Sequence, residues 1–464
     1  MEIAVEPSQP SAENRIIDLR YFQGSKYPKQ LADLRRKTFV DETEFLPLDG
    51  AVDAWDERGV HICLFDAQGV LLGASHVLLA EESDFGKWTS IPDSQLRCAV
   101  VSRRTAVSGE ARHRGIFQLL LYLGMRWGRM QGRKLALGFV EVGDPPVKKL
   151  LQCEVITGVP LRKVSGANGH QYHLVSTWGD VQLMAHRAYS ALPRGMRDWV
   201  RYHTMPEELT EMVRERIFRF YQNPWLAKTL RRELSRTEYG RAIANLHQYV
   251  RWTTRLLAQM TGQTADPELR AHFMDHLSGE IDHERMLEAD LRGIGWDVDW
   301  VMNGMAPDPD ILNFMSVQQS LVAFERDPVL FLMVPLVAEG LSAFLDHEFI
   351  AALEECATSW GIANPRSVTK FLRSHIHTDG GDDGHWAAVQ GMIAGRIRDE
   401  AHHQRALAII DAVAQSMNRA WSNYVAVPDF SAIRGVESGL DSGITSPGCR
   451  RTSTGLQSTR LIQQ

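Results

Sequence analysis

Residues 96–134, LRCAVVSRRTAVSGEARHRGIFQLLLYLGMRWGRMQGRK, contain a short apolar run followed by a stretch with a helical hydrophobic period. The first part, LRCAVVSRRTAV, is bounded by polar residues and predicts a β-strand. In the last part, IFQLLLYLGMRWGRMQGRK, apolar residues recur every three or four positions until Gly132, which predicts an amphipathic helix that ends there. A strand, a turn and a helix in this order indicate an α/β fold for this part of the chain.

The turn between the two elements is RHRGIF, residues 112–117. It would present backbone N–H groups and the positive end of a helix dipole to an anion, such as a pyrophosphate or a phosphopantetheine. A plain surface turn with solvated arginines has the same composition. On these residues alone both interpretations stay open.

The patterning divides the chain into two parts. In the first part, residues 59–80, GVHICLFDAQGVLLGASHVLLA, predict two strands joined by an Ala-Gln-Gly turn. From Pro206 onward the pattern is helical, with that proline at one helix start and Ser235 as the cap of another. We therefore predict a multidomain protein, α/β followed by all-α. Its segments are a flexible N-terminus at 1–14, a mixed-sheet domain with helices at 15–190, a linker at 191–205, a helical bundle at 206–425 and a disordered tail at 426–464.

Composition excludes several classes of function. The 464 residues are 44% hydrophobic, which is enough for more than one packed core. A net charge of -6 gives no basic surface for nucleic acid, and no run approaches the roughly 20 apolar residues of a membrane span. The five scattered cysteines predict a reducing, cytoplasmic location without a disulfide framework.

Histidines and carboxylates concentrate in the helical part. His276, Glu280 and His283 follow one another at spacings of four and three, and the last two have the Glu-x-x-His form of dimetal carboxylate proteins. Residues 371–386, FLRSHIHTDGGDDGHW, add three histidines and three aspartates. Glu339 follows an apolar run, where a carboxylate must be paired, protonated or bound to a metal. Carboxylates and neutral imidazoles are the ligands with which proteins hold Fe(II) or Mn(II) and leave positions open for O2.

Two parts of this assignment have alternatives. A regular helix places His375, Asp379 and Asp382 on one face, with His385 farther round and His377 pointing away. Residues 398–404, RDEAHHQ, contain a second Glu-x-x-His, so a four-helix site that uses Glu400 and His403 competes with the first assignment. For that second pair we favour a solvated helix start with acids in its first turn.

The N-terminal part resembles a known superfamily. The segments LRRKTFVDETEF (34–45), DAWD (53–56), GVLLGASHVL (69–78) and residues 100–134 resemble, in order and spacing, the GNAT acyltransferases, and among them the acyl-homoserine-lactone synthases and long-chain N-acyl amino acid synthases. The resemblance implies an acyl donor, carried on acyl carrier protein or coenzyme A. The implied donor-binding residues are Arg103, Arg104, Arg112, Arg114 and Gly115. The implied residues on the side of the acceptor amine or amino acid are Phe39, Asp53, Trp55 and Asp56.

The chain departs from this superfamily at two positions. Phe117 stands at the second glycine of the phosphate loop, and His76 stands where an arginine is usual. Donor binding is therefore expected to be altered or lost. Glu141 and His76 are the candidate general bases for deprotonating an attacking amine.

The C-terminal part resembles another family. Residues 223–251, 279–295, 336–362 and 371–386 resemble the haem-oxygenase-like di-iron oxidases and oxygenases, whose fold is shared with the TenA and PqqC families. The resemblance implies the metal ligands Glu280, His283, Glu339, His375 and Asp379, the last three of which form the catalytic set. The family's last histidine falls on Asp382, so either Asp382 or His385 fills that position. The first-helix glutamate has no clear match, although His247 lies near it, so one iron is expected to be weakly held.

Together these patterns predict a bifunctional enzyme of specialised metabolism. Its GNAT-like domain binds or transfers an acyl group to an amine or amino acid, and its non-haem iron domain uses O2 to hydroxylate, desaturate or cleave the substrate or product. We expect two Fe(II) ions, with one ion or Mn(II) as alternatives, and no nucleic-acid or membrane partner. A homodimer is one option for the assembly. The alternative functions are a GNAT-like module that only docks an acyl carrier, and a metal-free helical scaffold.

Overall fold

The computed structural model describes most of the chain, with the side chains of Trp88 and residues 377–379 left out. The described ranges are 18–46, 53–89, 91–142, 153–156, 159, 161–166, 169–379 and 384–426. The predicted flexible N-terminus and almost all of the predicted tail lie outside them.

The described residues of the N-terminal half include eight strands in one mixed sheet. They are β1 (Asp18–Gln23), β2 (Val60–Phe65), β3 (Leu71–Leu79), β4 (Ala99–Val107), β5 (Leu135–Glu141), β6 (Glu154–Val155), β7 (Arg162–Ser165) and β8 (Gln171–Asp180). Their order is β1-β2-β3-β4-β5-β8-β6, with β7 also paired to β8. Strands β4 and β5 pair in parallel and the other pairs are antiparallel. The prediction of a mixed sheet is confirmed.

Within the described part of this half, five helices accompany the sheet. They are α1 (Lys29–Arg35), which continues as a π-helical segment (Arg36–Glu42), α2 (Phe85–Thr89), α3 (Asp93–Leu96), α4 (Ile116–Met130) and α5 (Val181–Ser190). The predicted strand–turn–helix unit is β4 followed by α4, and its periodicity is explained by burial, because Leu119, Leu120 and Leu123 of α4 are fully buried. Strand β2 is buried along its whole length.

The rest of the chain is helical. Its helices are α6 (Arg194–Trp199), α7 (Met205–Phe220), α8 (Pro224–Leu230), α9 (Arg236–Gln263), α10 (Pro267–Glu280), α11 (His283–Gly293), α12 (Val298–Asn303), α13 (Pro309–Ser320), α14 (Pro328–Phe331), α15 (Met333–Phe344), α16 (His347–Ser359), α17 (Lys370–Asp379), α18 (His385–Ile393) and α19 (Glu400–Ala426). The predicted helix starts are confirmed: Pro206 lies in the first turn of α7, and Ser235 caps α9 in a capping box with Glu238. The all-α prediction for this half is confirmed.

The two halves share a hydrophobic core. Residues 191–205, which we predicted as a linker, contain α6 and a π-helical segment (Val200–Thr204). Val200 is fully buried in one apolar cluster that also contains Leu119 of α4 and Val213 of α7. The connecting segment is therefore part of the packing between the halves.

A buried cluster of charged residues also joins the halves. We call it the interface cluster: Arg126 and Arg129 of α4, Glu208 of α7, and Glu400 and His403 of α19. Arg129 donates from Nε and Nη2 to the two carboxylate oxygens of Glu208 at 3.2 and 3.1 Å, and from Nη1 to Glu400 at 2.6 Å. Arg126 lies 3.3 Å from Glu208. Both carboxylates are almost completely buried.

The interface cluster corrects our interpretation of RDEAHHQ. We predicted a solvated helix start, whereas Glu400 and His403 are fully buried and lie 3.6 Å apart. In the competing four-helix site Glu400 would bind a metal, whereas here its Oε1 lies 2.6 Å from the guanidinium of Arg129 in the other half of the chain. The local pattern could not reveal a partner 271 positions away in sequence.

Among the described residues no single helix has the length and apolarity to cross a membrane. Two consecutive helical segments, Pro328–Phe344 and His347–Ser359, have this length and apolarity only when they are taken together. They are bent by 76° relative to each other.

Candidate metal centre and acyl-binding cleft

The helical half encloses a mainly apolar cavity of about 110 Å³. Apolar side chains from α7, α9, α13, α15, α17 and α19 line most of it. Four residues with metal-ligating chemistry also line it: His276 and Glu280 of α10, Glu339 of α15, and His375 of α17. Three predicted ligands, Glu280, Glu339 and His375, thus lie with His276 in the wall of a space suited to an apolar substrate.

The described ligand side chains converge closely. His283 Nδ1 lies 2.7 Å from Glu280 Oε2, and His276 Nε2 lies 2.9 Å from Glu339 Oε1 and 3.6 Å from Glu280 Oε1. One donor atom each from Glu280, His283 and His375 lies within 4.8 Å of the others. The structure therefore brings together four predicted ligands and adds His276.

The Glu-x-x-His pair spans a break between two helices. Helix α10 ends at Glu280 and α11 begins at His283, so the pair does not lie on one continuous helix as its spacing suggested. The two side chains nevertheless make contact, because the intervening residues, Ile281 and Asp282, still form a turn. The break leaves His283 in the first turn of α11.

The tautomer of His375 is fixed by a backbone contact. Its Nδ1 lies 3.0 Å from the carbonyl oxygen of Phe371, so Nδ1–H donates and the lone pair is on Nε2. Its ring lies 4.3 Å, centroid to centroid, from that of His283. A histidine whose Nδ1–H donates to a carbonyl is typical of metal ligands, because that bond orients the ring and makes the other nitrogen more basic.

The electrostatics of the cluster fit a cation. Burial alone would raise the pKa of Glu280, but hydrogen bonds from His276 and His283 hold it well below its usual range. Burial lowers the pKa of His276, but Glu339 and then Glu280 outweigh it and raise that pKa to about 10. The two buried carboxylates, together with the imidazoles of His283 and His375, have the donor types that Fe(II) or Mn(II) requires. The residues therefore fit such an ion.

The remaining predicted ligands are distributed differently. The ring of His385 lies 5.7 Å from that of His276, at the edge of this cluster. Asp382 and the side chains of Asp379 and His377 lie outside the described residues. Their assignments therefore remain predictions.

His247 does not belong to this cluster. Its Nε2 faces Glu284 and Glu288 of α11, at 3.8 and 3.9 Å. The residues of α9 that line the cavity are instead Leu246, Tyr249, Val250, Thr253 and Leu257, so among the described residues α9 supplies no carboxylate to the cavity. The rotation of α9 about its axis turns His247 toward α11. The position of a single residue in the sequence does not determine this rotation.

Tyr249 is a site residue that the sequence analysis missed. Burial raises the pKa of its hydroxyl, and the charge of Glu280 raises it further, so the hydroxyl stays protonated beside the carboxylate cluster. The sequence feature that could have identified Tyr249 is its spacing of three residues from Leu246, on a helical face that is otherwise apolar.

In the N-terminal half, the predicted donor and acceptor residues pair with each other. Asp56 is bound by Arg35 at 2.7 Å and by Arg104 at 3.1 Å. Asp53 is bound by Arg103 at 2.5 Å and by Arg104 at 2.9 Å. Arg104 has a φ of 50°, at an irregularity in the β3–β4 ladder. Arg103 and Arg104 are thus paired with Asp53 and Asp56, and their role in donor binding stays a prediction.

His76 lies behind this network. It is fully buried and stacks on His61, with ring centroids 4.4 Å apart. Burial, and then the neighbouring His61, lower its pKa to about 3. Its Nε2–H donates to the carbonyl of Arg58 at 2.8 Å. Such an imidazole is a weak proton acceptor at neutral pH, whereas the other candidate base, Glu141, is exposed at the end of β5.

The predicted phosphate turn precedes α4 as expected. Gly115 has a φ of 84° and forms the N-cap. Arg112 pairs with Glu42, while the exposed Arg114 makes no side-chain hydrogen bond or ion pair recorded within the described part of the chain. Of the predicted donor-binding arginines, Arg114 is therefore the one best placed to meet a phosphate.

The close contact of this turn with the connecting segment predicts a large effect of substitution. A Cβ at Gly115 would lie 2.4 Å from Cδ of Pro193. We expect Gly115→Ala to cost about 2–5 kcal/mol of unfolding free energy, from left-handed strain and overpacking. Gly132→Ala is the matched control, since Gly132 has a φ of 69° with nothing within 4 Å of its Cβ position. Thermal denaturation of both variants tests this, and equal losses would contradict the packing contribution.

Comparisons with known proteins find similar solved structures of two kinds. No protein family model matches the chain, and no curated protein matches it. A domain of unknown function with a haem-oxygenase-like fold from Shewanella denitrificans is 17% identical, with a TM-score of 0.40, over 47% of this chain and 90% of that one. A TenA homologue from Pseudomonas syringae pv. tomato is 12% identical, with a TM-score of 0.41, over 49% of this chain and 94% of that one.

Acyltransferase structures match a different part of the chain. The acyl-homoserine-lactone synthase LasI is 12% identical, with a TM-score of 0.30, over 39% of this chain and 98% of LasI. These matches are of the two fold types that the sequence resemblances named.

Proposed function

We propose that the helical half is an O2-dependent non-haem iron oxidase whose substrate carries an apolar chain. The observation that supports this most directly is the convergence of Glu280, Glu339, His375 and His276 in the wall of an apolar cavity, with His283 in contact with Glu280. A bound iron would supply the activation of O2. The apolar lining would hold the substrate chain and exclude bulk water from the reacting carbon.

Each residue of the centre has a separable role in this proposal. Glu280, His283 and His375 would hold the ion, since their donor atoms are already within 4.8 Å of one another. Glu339 would be a further ligand, and His276, which lies 2.9 Å from it, would orient that carboxylate and hold a proton at Nε2. Tyr249 would provide a neutral hydroxyl beside Glu280.

The experiment for this proposal is anaerobic loading of the full chain with Fe(II), followed by optical titration with O2. An iron-dependent optical change on addition of O2, accelerated by a long-chain N-acyl amino acid, would support the oxidase. A chain that binds no iron under these conditions would instead favour the metal-free scaffold.

For the N-terminal half we propose binding of an acyl thioester, carried on coenzyme A or acyl carrier protein. This proposal is supported by the left-handed Gly115 turn at the start of α4 and by the exposed Arg114 beside it. Docking without transfer is the second candidate. The low pKa of His76 and the closed pairing of Asp53 and Asp56 with arginines favour it. Mass spectrometry of N-acylated product, formed from acyl carrier protein thioester and amino acids, distinguishes transfer from docking.

Arg114→Ala should weaken acyl-thioester binding by about ten- to 100-fold, because it removes a charged phosphate contact. The iron content should not change, since Arg114 is remote in sequence from every ligand of the helical half. Isothermal titration with coenzyme A thioester measures the affinity, and Arg231→Ala, an exposed arginine in the helical half, is the control. An unchanged affinity would show that this turn does not bind the phosphate of the thioester carrier.

A further inference from the structure

A second group of metal-ligating side chains lies between α9 and α11. It consists of His247 of α9 and of Glu284 and Glu288, which lie one turn apart on α11. One donor atom from each of the three lies within 4.8 Å of the others. This group is separate from the set formed by Glu280, His283 and His375, and it has no place in the proposed oxidation.

The imidazole in this group is buried without satisfied hydrogen bonds. His247 has no exposed surface, and neither of its ring nitrogens has a hydrogen-bond partner among the described residues. A buried polar group without a partner costs free energy, so it indicates a ligand or an ion at that position. The side chains of Glu284 and Glu288 are 35% and 17% exposed, which gives an ion access from solvent.

The distances fit a bridging ion better than a hydrogen bond. His247 Nε2 lies 3.8 Å from Glu284 Oε1 and 3.9 Å from Glu288 Oε1. Two donors that each lie about 2.0–2.2 Å from one ion are at most about 4.4 Å apart. Both separations fall inside this limit and beyond hydrogen-bond range.

The surrounding charges are compatible with a cation. Arg292 donates to Glu288 Oε2 at 2.8 Å, which orients that carboxylate and leaves Oε1 toward His247. Arg251 is the other nearby cation, and its guanidinium is held by the carbonyl of Met302 at 2.8 Å. Burial lowers the pKa of His247, so at neutral pH the imidazole is uncharged and can coordinate without releasing a proton.

We propose that His247, Glu284 and Glu288 form a second divalent transition-metal site, which links α9 to α11 and is independent of the oxidase centre. One imidazole and two carboxylates suit Zn²⁺ or Mn²⁺, with water completing the coordination. Because Glu284 directly follows His283, an ion here would also fix the first turn of α11, which carries a ligand of the oxidase centre.

The test is Zn²⁺ binding by the full chain after removal of metals with a chelator. The double variant Glu284→Gln/Glu288→Gln should bind one Zn²⁺ fewer per chain than the wild type, measured by equilibrium dialysis and elemental analysis. The variant Glu280→Gln/His375→Ala should retain this ion while losing metal from the oxidase centre. Asp299→Asn, an exposed carboxylate on the neighbouring α12, should change nothing. Equal Zn²⁺ content in the double variant and the wild type would overturn the proposal.

A single substitution tests the same site with a smaller change to the protein than the double variant. Glu284→Gln alone should weaken binding of this ion by about 100-fold or more, since groups that merely orient a ligand contribute about 10- to 100-fold. Circular dichroism checks that the fold is intact. In the Glu280→Gln/His375→Ala background, Co²⁺ should give visible d–d bands that Glu284→Gln abolishes. Bands unaffected by Glu284→Gln would also overturn the proposal, whatever the outcome for the oxidase centre.

Discussion

Protein carrying His375→Ala is expected to bind at least one iron ion fewer per chain and to lose O2-dependent turnover. The imidazole is one of three donors within 4.8 Å of one another, and its orientation is fixed by the carbonyl of Phe371. A water molecule in its place would be a weaker donor without that fixed orientation. Iron per chain after anaerobic Fe(II) loading, with O2 consumption as the second measurement, provides the test. Glu339→Ala is expected to give the same result.

Two histidines serve as controls for this prediction. His347 is exposed at the start of α16, and His347→Ala should keep full iron and activity. His377→Ala should also keep both, because the helical projection turns His377 away from His375. Loss of iron in either control would mean that removing any histidine lowers the iron content, and His375→Ala would then not identify His375 as a ligand.

The choice between Asp382 and His385 needs its own pair of variants. The family spacing favours Asp382, whereas the ring of His385 lies 5.7 Å from that of His276. We expect Asp382→Ala to lose iron and His385→Ala to keep it. The reverse result would reassign the ligand to His385, and full iron and activity in both would exclude residues 382–385 from the centre.

The second large effect is expected at the interface cluster. Arg129→Met should destabilise the protein by about 3–5 kcal/mol, because it leaves two buried carboxylates without their shared cation. Arg129 binds Glu208 through two hydrogen bonds and Glu400 through one. Thermal denaturation followed by circular dichroism measures the loss. Adding Glu208→Gln and Glu400→Gln should recover part of it, since the cost comes from unpaired buried charge.

The matched control is an arginine in an exposed pair. Arg219→Met, which breaks a surface pair with Glu215, should change stability by less than about 1 kcal/mol. A loss at Arg129 no larger than at Arg219 would mean that the buried pairing contributes little.

The interface cluster also predicts a pH dependence. Burial opposes ionisation of Glu400, but Arg129 and then His403 outweigh it and lower the pKa of Glu400 to about 2, from the 4.5 of a free glutamate side chain. A depressed carboxyl pKa contributes stability above the unfolded-state value and loses it as the pH falls through the folded-state value. Stability should therefore decline between about pH 4.5 and pH 2, and less steeply in Arg129→Met.

The amino-acid sequence by itself determined the elements of both halves and the core of the candidate centre. Strand β4 follows from a short apolar run and helix α4 from a hydrophobic period of three to four residues, and the side chain of Ser235 sets the start of α9. Glu280 and His283 could be paired in advance, because a spacing of three brings two side chains together even across the turn between α10 and α11. These features depend on contacts between near neighbours in the chain.

The tertiary structure decided the features that depend on distant residues. The rotation of α9 turned His247 toward Glu284 and Glu288 and placed Tyr249 at the cavity instead. Packing between the halves buried Glu400 against Arg129. The acids near Glu400 had predicted a solvated helix start instead. Helix rotation and domain packing are set by the fit of whole surfaces, so no single spacing in the sequence encodes them.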